Sequence, residues 1–267
     1  MKKIIVWNIN SATNKKIITP DFVGEELQEQ NSDFIVITEF CKTKNYQDFL
    51  KKYLDNDYNY IITNNSVRHN DILVAWEKDK YDVVKREDNI VTNQVIPNFA
   101  YVVLKDKNGL EFVLAGVRIT IESYENRVKQ LLFVLNSLKA FPHVVLGGDF
   151  NCLRRKTLEE KWNIKVLSRL SKQNGFNLIT PEGQSIYSEK AFSEAYEFAE
   201  DHFVVKGLKI KNEIYDRNFA IRNRDVYLHG KNFLVYDIGL KRNIWSIDVG
   251  SGIPDHAILS GNICVNS

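Results

Sequence analysis

Residues 143–151 read His143-Val-Val-Leu-Gly-Gly-Asp149-Phe-Asn151. The apolar run is typical of a buried strand, and it ends abruptly in two glycines, a carboxylate and an amide. Side chains two positions apart lie on the same side of a strand, so Asp149 and Asn151 are predicted to face the same way. Gly147 and Gly148 let a ligand or a neighbouring backbone come close. The stretch is therefore the first candidate for chemistry, although such a corner also occurs as a purely structural turn.

Four further apolar runs carry polar residues at an end in the same manner. Lys3–Trp7 leads to Asn8 and Asn10, Asp33–Thr38 leads to Glu39, Phe233–Tyr236 leads to Asp237, and Asp255-His256 precedes Ala257–Ser260. Five such ends that converge on one rim of a sheet sandwich supply hard oxygen ligands for a divalent cation and one imidazole. The pattern therefore predicts a polar, metal-binding site built from several strands.

Five short motifs follow one another along the chain. They are WNIN at Trp7–Asn10, ITEF at Ile37–Phe40, GGDFN at Gly147–Asn151, YDIGL at Tyr236–Leu240 and PDHAIL at Pro254–Leu259. With these motifs in this order, the chain resembles the endonuclease/exonuclease/phosphatase superfamily from Trp7 to Ile263. The resemblance implies an α/β fold of the DNase I-like type, a four-layer sandwich in which two mixed β-sheets pack face to face with helices outside.

The resemblance also implies a divalent metal centre. Glu39 matches the principal metal ligand, with Asn10 and Asp255 beside it. Hard oxygen donors of this kind suit Mg²⁺ or Mn²⁺. Phosphodiesters repel anionic nucleophiles, so their hydrolysis needs a cation that neutralises the developing charge.

The remaining motif residues match catalytic positions of the resembled superfamily. Asp149 would align or deprotonate the attacking water, helped by Asn8 and Asn151. His256 would contact the phosphoryl oxygen, and Asp237 would orient the imidazole ring and favour its charged form.

The chain departs from the superfamily pattern at the strand end Leu114-Ala-Gly-Val-Arg118. Many nucleases of the resembled superfamily carry Tyr or His there. Arg118 is a candidate phosphate ligand instead, because a guanidinium binds phosphate through two parallel hydrogen bonds. Arg154 and Arg155 directly follow GGDFN and are further candidates for phosphate contacts, although a solvated surface explains such a charge run equally well.

These features predict a divalent-metal-dependent phosphodiester hydrolase, with a nuclease that acts on DNA as the first hypothesis. A phosphatase or a lipid or inositol phosphodiesterase would use the same metal centre on a smaller ester. A non-catalytic polyanion-binding homologue would keep the fold alone. The joint presence of Glu39, Asp149, Asn151, Asp237 and His256 argues against this last alternative, since binding does not need that arrangement.

Composition indicates the domain organisation and the cellular compartment more than the activity. The 267 residues contain 44% hydrophobic residues and no Pro-, Gly- or Ser-rich linker, which favours a single domain over residues 1–267. The net charge of +2 is too small to mark a nucleic-acid binder. Three scattered cysteines favour a reducing cytoplasm, and no segment approaches the roughly 20 apolar residues of a membrane span. We also expect a monomer without membrane insertion.

Periodicity predicts the secondary structure coarsely. Helices are expected at 20–30, 46–54, 125–138 and 158–174, and antiparallel strands at 58–63, 72–76, 81–85, 100–104 and 111–116. Ser185–Arg224 is expected to be a substrate-specific loop near the site. Its aromatic residues, including Phe203, are predicted to pack in the core rather than to stack on bases. Its acidic residues, including Glu200 and Asp201, are predicted to form a face that repels polyanions.

Overall fold

A computed structural model of the chain describes residues 2–11, 18–64, 70–152, 161–185, 199–223, 231–237, 242–248 and 253–265, with the backbone alone at 221, 231–237 and 242–248. The strands are β1 Lys2–Asn8, β2 Phe34–Phe40, β3 Tyr58–Ile62, β4 Asp71–Glu77, β5 Tyr81–Glu87, β6 Asn98–Asp106, β7 Glu111–Arg118, β8 Val144–Asp149, β9 Asn177–Ile179, β10 Asp201–Lys206, β11 Leu208–Asp216, β12 Lys231–Asp237, β13 Arg242–Asp248 and β14 Ile258–Val265. The helices are α1 Asp21–Gln30, α2 Tyr46–Tyr53, α3 Tyr124–Leu138, α4 Ile164–Gln173 and α5 Asn218–Arg222.

Two six-stranded sheets form the body of the fold. The first runs in the order β11-β14-β1-β2-β4-β3 and the second in the order β5-β6-β7-β8-β10-β9. Both sheets are mixed, because β1 pairs in parallel with β2, and β7 in parallel with β8, among otherwise antiparallel neighbours. Strands β12 and β13 pair with each other as an antiparallel hairpin. The predicted α/β sandwich of two mixed sheets is confirmed.

Strand β6 is buried on both faces and contributes to two apolar clusters. Ala100, Val102 and Leu104 belong to the apolar cluster that includes residues of both sheets. The alternate positions, Phe99, Tyr101 and Val103, join the cluster that includes buried residues of α3 and α4. A strand buried on both faces reads as a continuous apolar run, because successive side chains point to opposite faces.

The two glycines of GGDFN serve the approach of neighbouring strands. A side chain at Gly147 would collide with Val6 of the facing sheet. A side chain at Gly148 would overlap the backbone carbonyl of Val117 on the neighbouring strand β7. The close approach that the sequence predicted is therefore made by protein atoms of β1 and β7.

Helix α4 begins later than the sequence predicted. Asn163 accepts hydrogen bonds from the backbone N–H groups of Lys165 and Val166, so it caps a helix that starts at Ile164 rather than at 158. Residues 158–160 of the predicted helix lie outside the described residues. Helices α1, α2 and α3 lie within about one residue of their predicted bounds. In the described part of the chain, no helix is long and apolar enough to cross a membrane.

The segment Ser185–Arg224 is not a loop throughout, as the sequence had predicted. Strands β10 and β11 occupy most of its described part, because β10 pairs with β8 and β11 pairs with β14. Phe203 is fully buried, as predicted. The prediction of an exposed acidic face is wrong for Glu200 and Asp201, which are both buried. Residues 186–198 lie outside the described part.

Candidate active site

Three charged residues lie side by side at one edge of the second sheet. Arg118 ends β7 and is the register partner of Asp149, which ends the parallel strand β8. Asp201 begins β10 and is the register partner of Asp149 on its other side, because β10 runs antiparallel to β8. The start of an antiparallel strand and the ends of two parallel strands thus meet at one rim.

Asn8-x-Asn10 and Asp149-x-Asn151 form the same local turn at the ends of β1 and β8. The Asn8 side chain accepts a hydrogen bond from the backbone N–H of Asn10 at 2.9 Å, and Asp149 accepts one from Asn151 at 2.8 Å. Asn10 and Asn151 have positive φ angles of 49° and 46°. Asn151 therefore lies beyond β8 and contacts Asp149 through this turn, not through the strand alternation that the sequence suggested.

Glu39 is placed by a β-bulge. The register between β2 and β4 shifts between Ile37 and Phe40, and Glu39 within this shift has φ 54°. Ser11 supports the bulge, because its hydroxyl donates to the Glu39 carbonyl at 2.7 Å. A non-glycine residue in the left-handed region stores about 1–3 kcal/mol of strain, and bulges near active sites re-aim a side chain. The bulge directs the Glu39 carboxylate toward the second sheet.

Three polar pairs join the two sheets at this rim. The Asn8 amide donates to Asp149 Oδ2 at 3.1 Å. Arg118 Nη2 lies 2.6 Å from Glu39 Oε1. His256, which precedes β14, places Nδ1 2.7 Å from Asp201 Oδ2. Each pair takes one residue from each sheet, so the sandwich itself assembles the site.

His256 is held by Asp201. A carboxylate only accepts hydrogen bonds here, so the ring donates from Nδ1 and turns Nε2 toward the site. Burial lowers the pKa of His256, but Asp201, with Asp255 and Asp149, outweighs burial and raises the pKa well above its usual value. The sequence had assigned this orienting role to Asp237, which ends β12. Its side chain lies outside the described part of the structure, so that role stays a prediction.

Glu200 is an acid that the sequence did not assign to the site. Its carboxylate, that of Asp149 and a ring nitrogen of His256 all lie within 4.8 Å of one another, a spacing that could hold a metal ion. Burial and the neighbouring Asp149 raise the pKa of Glu200 to about 8. Burial raises the pKa of Asp149 to about 6, although Arg118 and His256 oppose the rise. Both acids are thus crowded into one buried space.

The side chains at the rim fit a divalent cation by their chemistry. Burial and nearby Glu39 raise the pKa of Asp255, although His256 opposes the rise. Buried carboxylates need compensating positive charge, and oxygen donors are the ligands that Mg²⁺ and Mn²⁺ prefer. Five carboxylates face two cationic groups among the described site residues, namely Glu39, Asp149, Glu200, Asp201 and Asp255 against Arg118 and His256.

Other predicted ligands are placed as follows. Asn10 donates its amide to the Ile253 carbonyl at 3.1 Å, which leaves the side-chain oxygen to other partners. Arg118 lies between Glu39 and Asp149. Arg154 and Arg155 lie outside the described residues. Behind the site, Cys152 Sγ lies 3.0 Å from His202 Nε2, and both residues are fully buried.

Comparisons of the sequence with protein-family models and with curated proteins find no match. Solved structures do match. An endonuclease/exonuclease/phosphatase family protein from Bacteroides thetaiotaomicron superposes with a TM-score of 0.67 at 13% identity, over 100% of this chain and 98% of that chain. The chain has the fold of the endonuclease/exonuclease/phosphatase superfamily. The fold that the five motifs predicted is thereby confirmed.

Two other structures with this superfamily fold differ in what they act on or bind. The B. thetaiotaomicron mannosyl-6-phosphatase Bt3783 has a TM-score of 0.64 at 13% identity, over 99% of this chain and 100% of that chain. D. rerio TDP2, complexed with a single-strand DNA product, has a TM-score of 0.63 at 13% identity, over 99% of each chain. Identities this low establish the superfamily fold and leave the substrate open.

Asp201 and Glu200 carried a signal that sequence reasoning missed. Asp201-His-Phe-Val-Val205 is an apolar run that begins, rather than ends, with a carboxylate. Parallel strands contribute their ends to this rim, whereas an antiparallel neighbour contributes its beginning. The backbone N–H of Glu200 donates to Ser185 Oγ at 2.7 Å, which fixes the entry to β10.

Glu200→Gln is expected to stabilise the metal-free protein at alkaline pH. The folded pKa of Glu200, about 8, lies above the ordinary value of 4.5, so the folded state binds more protons between these values. Stability from this group is therefore lost as pH rises from about 5 to 8. We expect Glu200→Gln to gain about 1–3 kcal/mol at pH 8.5 and little at pH 5.

Urea denaturation at both pH values, with a chelator present, measures this difference. The exposed Glu182, as Glu182→Gln, is the matched control and should follow the wild-type protein. An unchanged pH dependence in Glu200→Gln would show that this carboxyl is not crowded in solution.

Proposed function

We propose that the protein is a divalent-metal-dependent phosphoesterase whose site is the rim between the two sheets. The observation that carries the proposal is the set of cross-sheet pairs, Asn8 with Asp149, Arg118 with Glu39, and Asp201 with His256. A base, cationic groups and oxygen ligands then face one space. Phosphoester hydrolysis needs these three kinds of group together.

Asp149 is the residue that aligns or deprotonates the attacking water in this proposal. It is fully buried, and its oxygens accept from the Asn8 amide, the Asn151 amide and the Asn151 backbone N–H. Hydrogen bonds from neutral donors fix the carboxylate without removing its charge. A pKa of about 6 leaves it ionised at neutral pH and close to the value that suits a general base.

His256 and Arg118 supply positive charge to the phosphoryl group. The raised pKa of His256 keeps the ring protonated at neutral pH, so Nε2 donates to a nonbridging or leaving oxygen. Its nearest acidic neighbours on that side, Glu200 and Asp255, lie 3.9 Å away, beyond hydrogen-bond distance. The donor is therefore directed at the substrate.

Glu39, Asn10 and Asp255 would hold the cation, as the resemblance implies. When bound, Mg²⁺ or Mn²⁺ neutralises charge that develops on the phosphoryl oxygens. The bulge at Glu39 and the turn at Asn10 hold two of these residues in left-handed conformations, which supports a functional reason for the strain.

DNA is the first substrate that we propose, with nucleic acid as the partner. The complex of TDP2 with a single-strand DNA product supports this choice at the level of the fold. A small phosphate ester is the second candidate, and a specific feature favours it. The surplus of carboxylates around Asp149, Glu200 among them, repels a polyanion more strongly than a single phosphate.

Mg²⁺- and Mn²⁺-dependent turnover should be measured on single-stranded DNA, duplex DNA, RNA, a sugar phosphate and an inositol phosphate, at 50 and 200 mM salt. We expect DNA cleavage that falls steeply with salt, since about 6–10 phosphate contacts cost about 10³–10⁵-fold in affinity over this range. Turnover confined to small esters with weak salt dependence would select the phosphatase. DNA binding without turnover on any substrate would contradict the enzymatic proposal and revive the polyanion-binding alternative.

A further inference from the structure

Arg118 occupies the centre of the rim as a buried internal cation. Its side chain is 15% exposed, with Nη2 2.6 Å from Glu39 Oε1 and Nε 3.4 Å from Asp149 Oδ2. The Nε contact lacks hydrogen-bond geometry, so this donor has no hydrogen-bond partner among the described residues. Arg118 therefore makes a close contact with Glu39 and only a longer ion pair with Asp149.

The pairing takes up the carboxylate that the proposed metal needs. The backbone of Glu39 is held by its bulge and by the Ser11 hydroxyl, and the buried carboxylate points at Arg118. A guanidinium stays charged at every pH at which proteins fold, so it cannot leave the pair by losing its proton. A divalent cation that binds at Oε1 of Glu39 would therefore compete with the guanidinium for that oxygen.

We propose that Arg118 couples metal binding to phosphate binding, because its guanidinium competes with the divalent cation for Glu39 and is released toward the substrate phosphate when the cation binds. The inference rests on the proposed function, since it assumes a cation at Glu39. The free Nε donor and the released Nη2 then offer a two-pronged contact for one phosphate. Arg118 thus serves as the counter-cation of Glu39 in one state and as a phosphate ligand in the other.

Because binding linkage is reciprocal, the coupling predicts how the anion and the cation change each other's affinity. An anion that draws Arg118 away from Glu39 must raise the affinity for the cation, and the cation must raise the affinity for the anion by the same factor. Coupling of this kind is typically about 5–150-fold. The wild-type protein should therefore bind the cation weakly when no anion is present and more tightly when a tetrahedral anion is present.

Arg118→Gln is expected to separate these effects. In calorimetric titrations of the full chain with Mn²⁺, the variant should bind the cation about 10-fold more tightly than wild type without anion. Sulfate, a tetrahedral dianion, should tighten Mn²⁺ binding to wild type at least about 5-fold and leave Arg118→Gln nearly unchanged. Arg118→Lys keeps the charge without the planar fork, so it should retain weak Mn²⁺ binding and lose most of the sulfate effect.

Arg127→Gln is the matched control for the loss of one positive charge. Arg127 donates to the backbone carbonyls of Glu122 and Asn151 and contacts the site without pairing with Glu39. Its Mn²⁺ affinity should change much less than that of Arg118→Gln, and its sulfate effect should persist. Equal changes in Mn²⁺ affinity in both variants would contradict the proposed competition between Arg118 and the cation, because the loss of one positive charge would then explain them.

The outcomes separate this inference from the proposed function. If wild type and Arg118→Gln bind Mn²⁺ equally, with equal sulfate effects, the coupling is wrong and the metal site stands. If neither binds Mn²⁺, the metal-dependent function fails, and the coupling fails with it. If Arg118→Gln does not fold, Arg118→Lys decides the question, because a sulfate effect of wild-type size in that variant contradicts the two-pronged contact.

Discussion

Replacing Asp149 by asparagine is expected to lower kcat by about 10³-fold or more in a protein that stays folded. Proton transfer by a positioned base contributes about 10²–10⁴-fold, and the substitution also misaligns its neighbours. Asp149 accepts from two amide donors, those of Asn8 and Asn151. An asparagine at this position sets its own NH₂ group against at least one of those donors, so the water loses both its base and its alignment.

Asp106→Asn is the control that separates catalysis from folding. Asp106 ends β6 and accepts from the backbone N–H groups of Asn108 and Leu110, in a turn resembling that of Asp149. It also pairs with Lys2 at 2.5 Å. Because these contacts are structural, Asp106→Asn should lose about 1–2 kcal/mol of stability and keep its activity.

Steady-state kinetics and urea denaturation of the two variants check this pair of expectations. Asp149→Asn should be inactive but folded, because removal of a buried carboxyl with a raised pKa of about 6 offsets part of the cost of the mismatched amide. A kcat within 10-fold of wild type for Asp149→Asn would remove Asp149 from the role of base.

Asp201→Asn is expected to lower kcat by about 10²–10⁴-fold. The carboxylate at 2.7 Å holds His256 in one orientation and favours its charged form. The corresponding loss in hydrolases that orient an imidazole by a carboxylate reaches about 10⁴-fold, because an amide misdirects the ring. The pKa of His256 should fall at the same time, since Asp201 is the largest influence that raises it.

The pH profile distinguishes this role from a structural one. Asp149 must be ionised and His256 protonated, so activity should rise as pH rises through the Asp149 pKa of about 6 and should be lost as pH rises through the folded pKa of His256. Asp201→Asn should move this alkaline limb of kcat to lower pH, and a merely weakened fold would not move it. Asp237→Asn, measured beside it, tests the role that the sequence assigned to Asp237. A shifted limb in Asp237→Asn but not in Asp201→Asn would reverse the assignment.

Local chemistry explains why much of the rim could be predicted from the sequence. Asn8, Asn10, Asp149 and Asn151 lie in two turns that each need only three consecutive residues. Glu39 directly follows an apolar strand run, and His256 directly precedes one. Strand ends and short turns depend on neighbours along the chain, so their residue types carry the information.

The predictions that failed had one local and one long-range cause. Helix α4 was predicted to begin too early because Asn163, which caps it, resembles any other polar residue in a periodic pattern. The loop predicted at Ser185–Arg224 proved to contain β10 and β11, whose partners β8 and β14 are far away in sequence. Pairing of this kind is set by the whole sheet and not by local propensity.

The sequence by itself determined the superfamily fold, the order of the motif strands and the polar residues that end them. Only the tertiary structure decided which of those residues meet. Asp201 reaches His256 across 55 positions, and Arg118 of one sheet neutralises Glu39 of the other. The physical reason is that a strand end is specified by adjacent residues, whereas an ion pair between two sheets exists only after both sheets have packed.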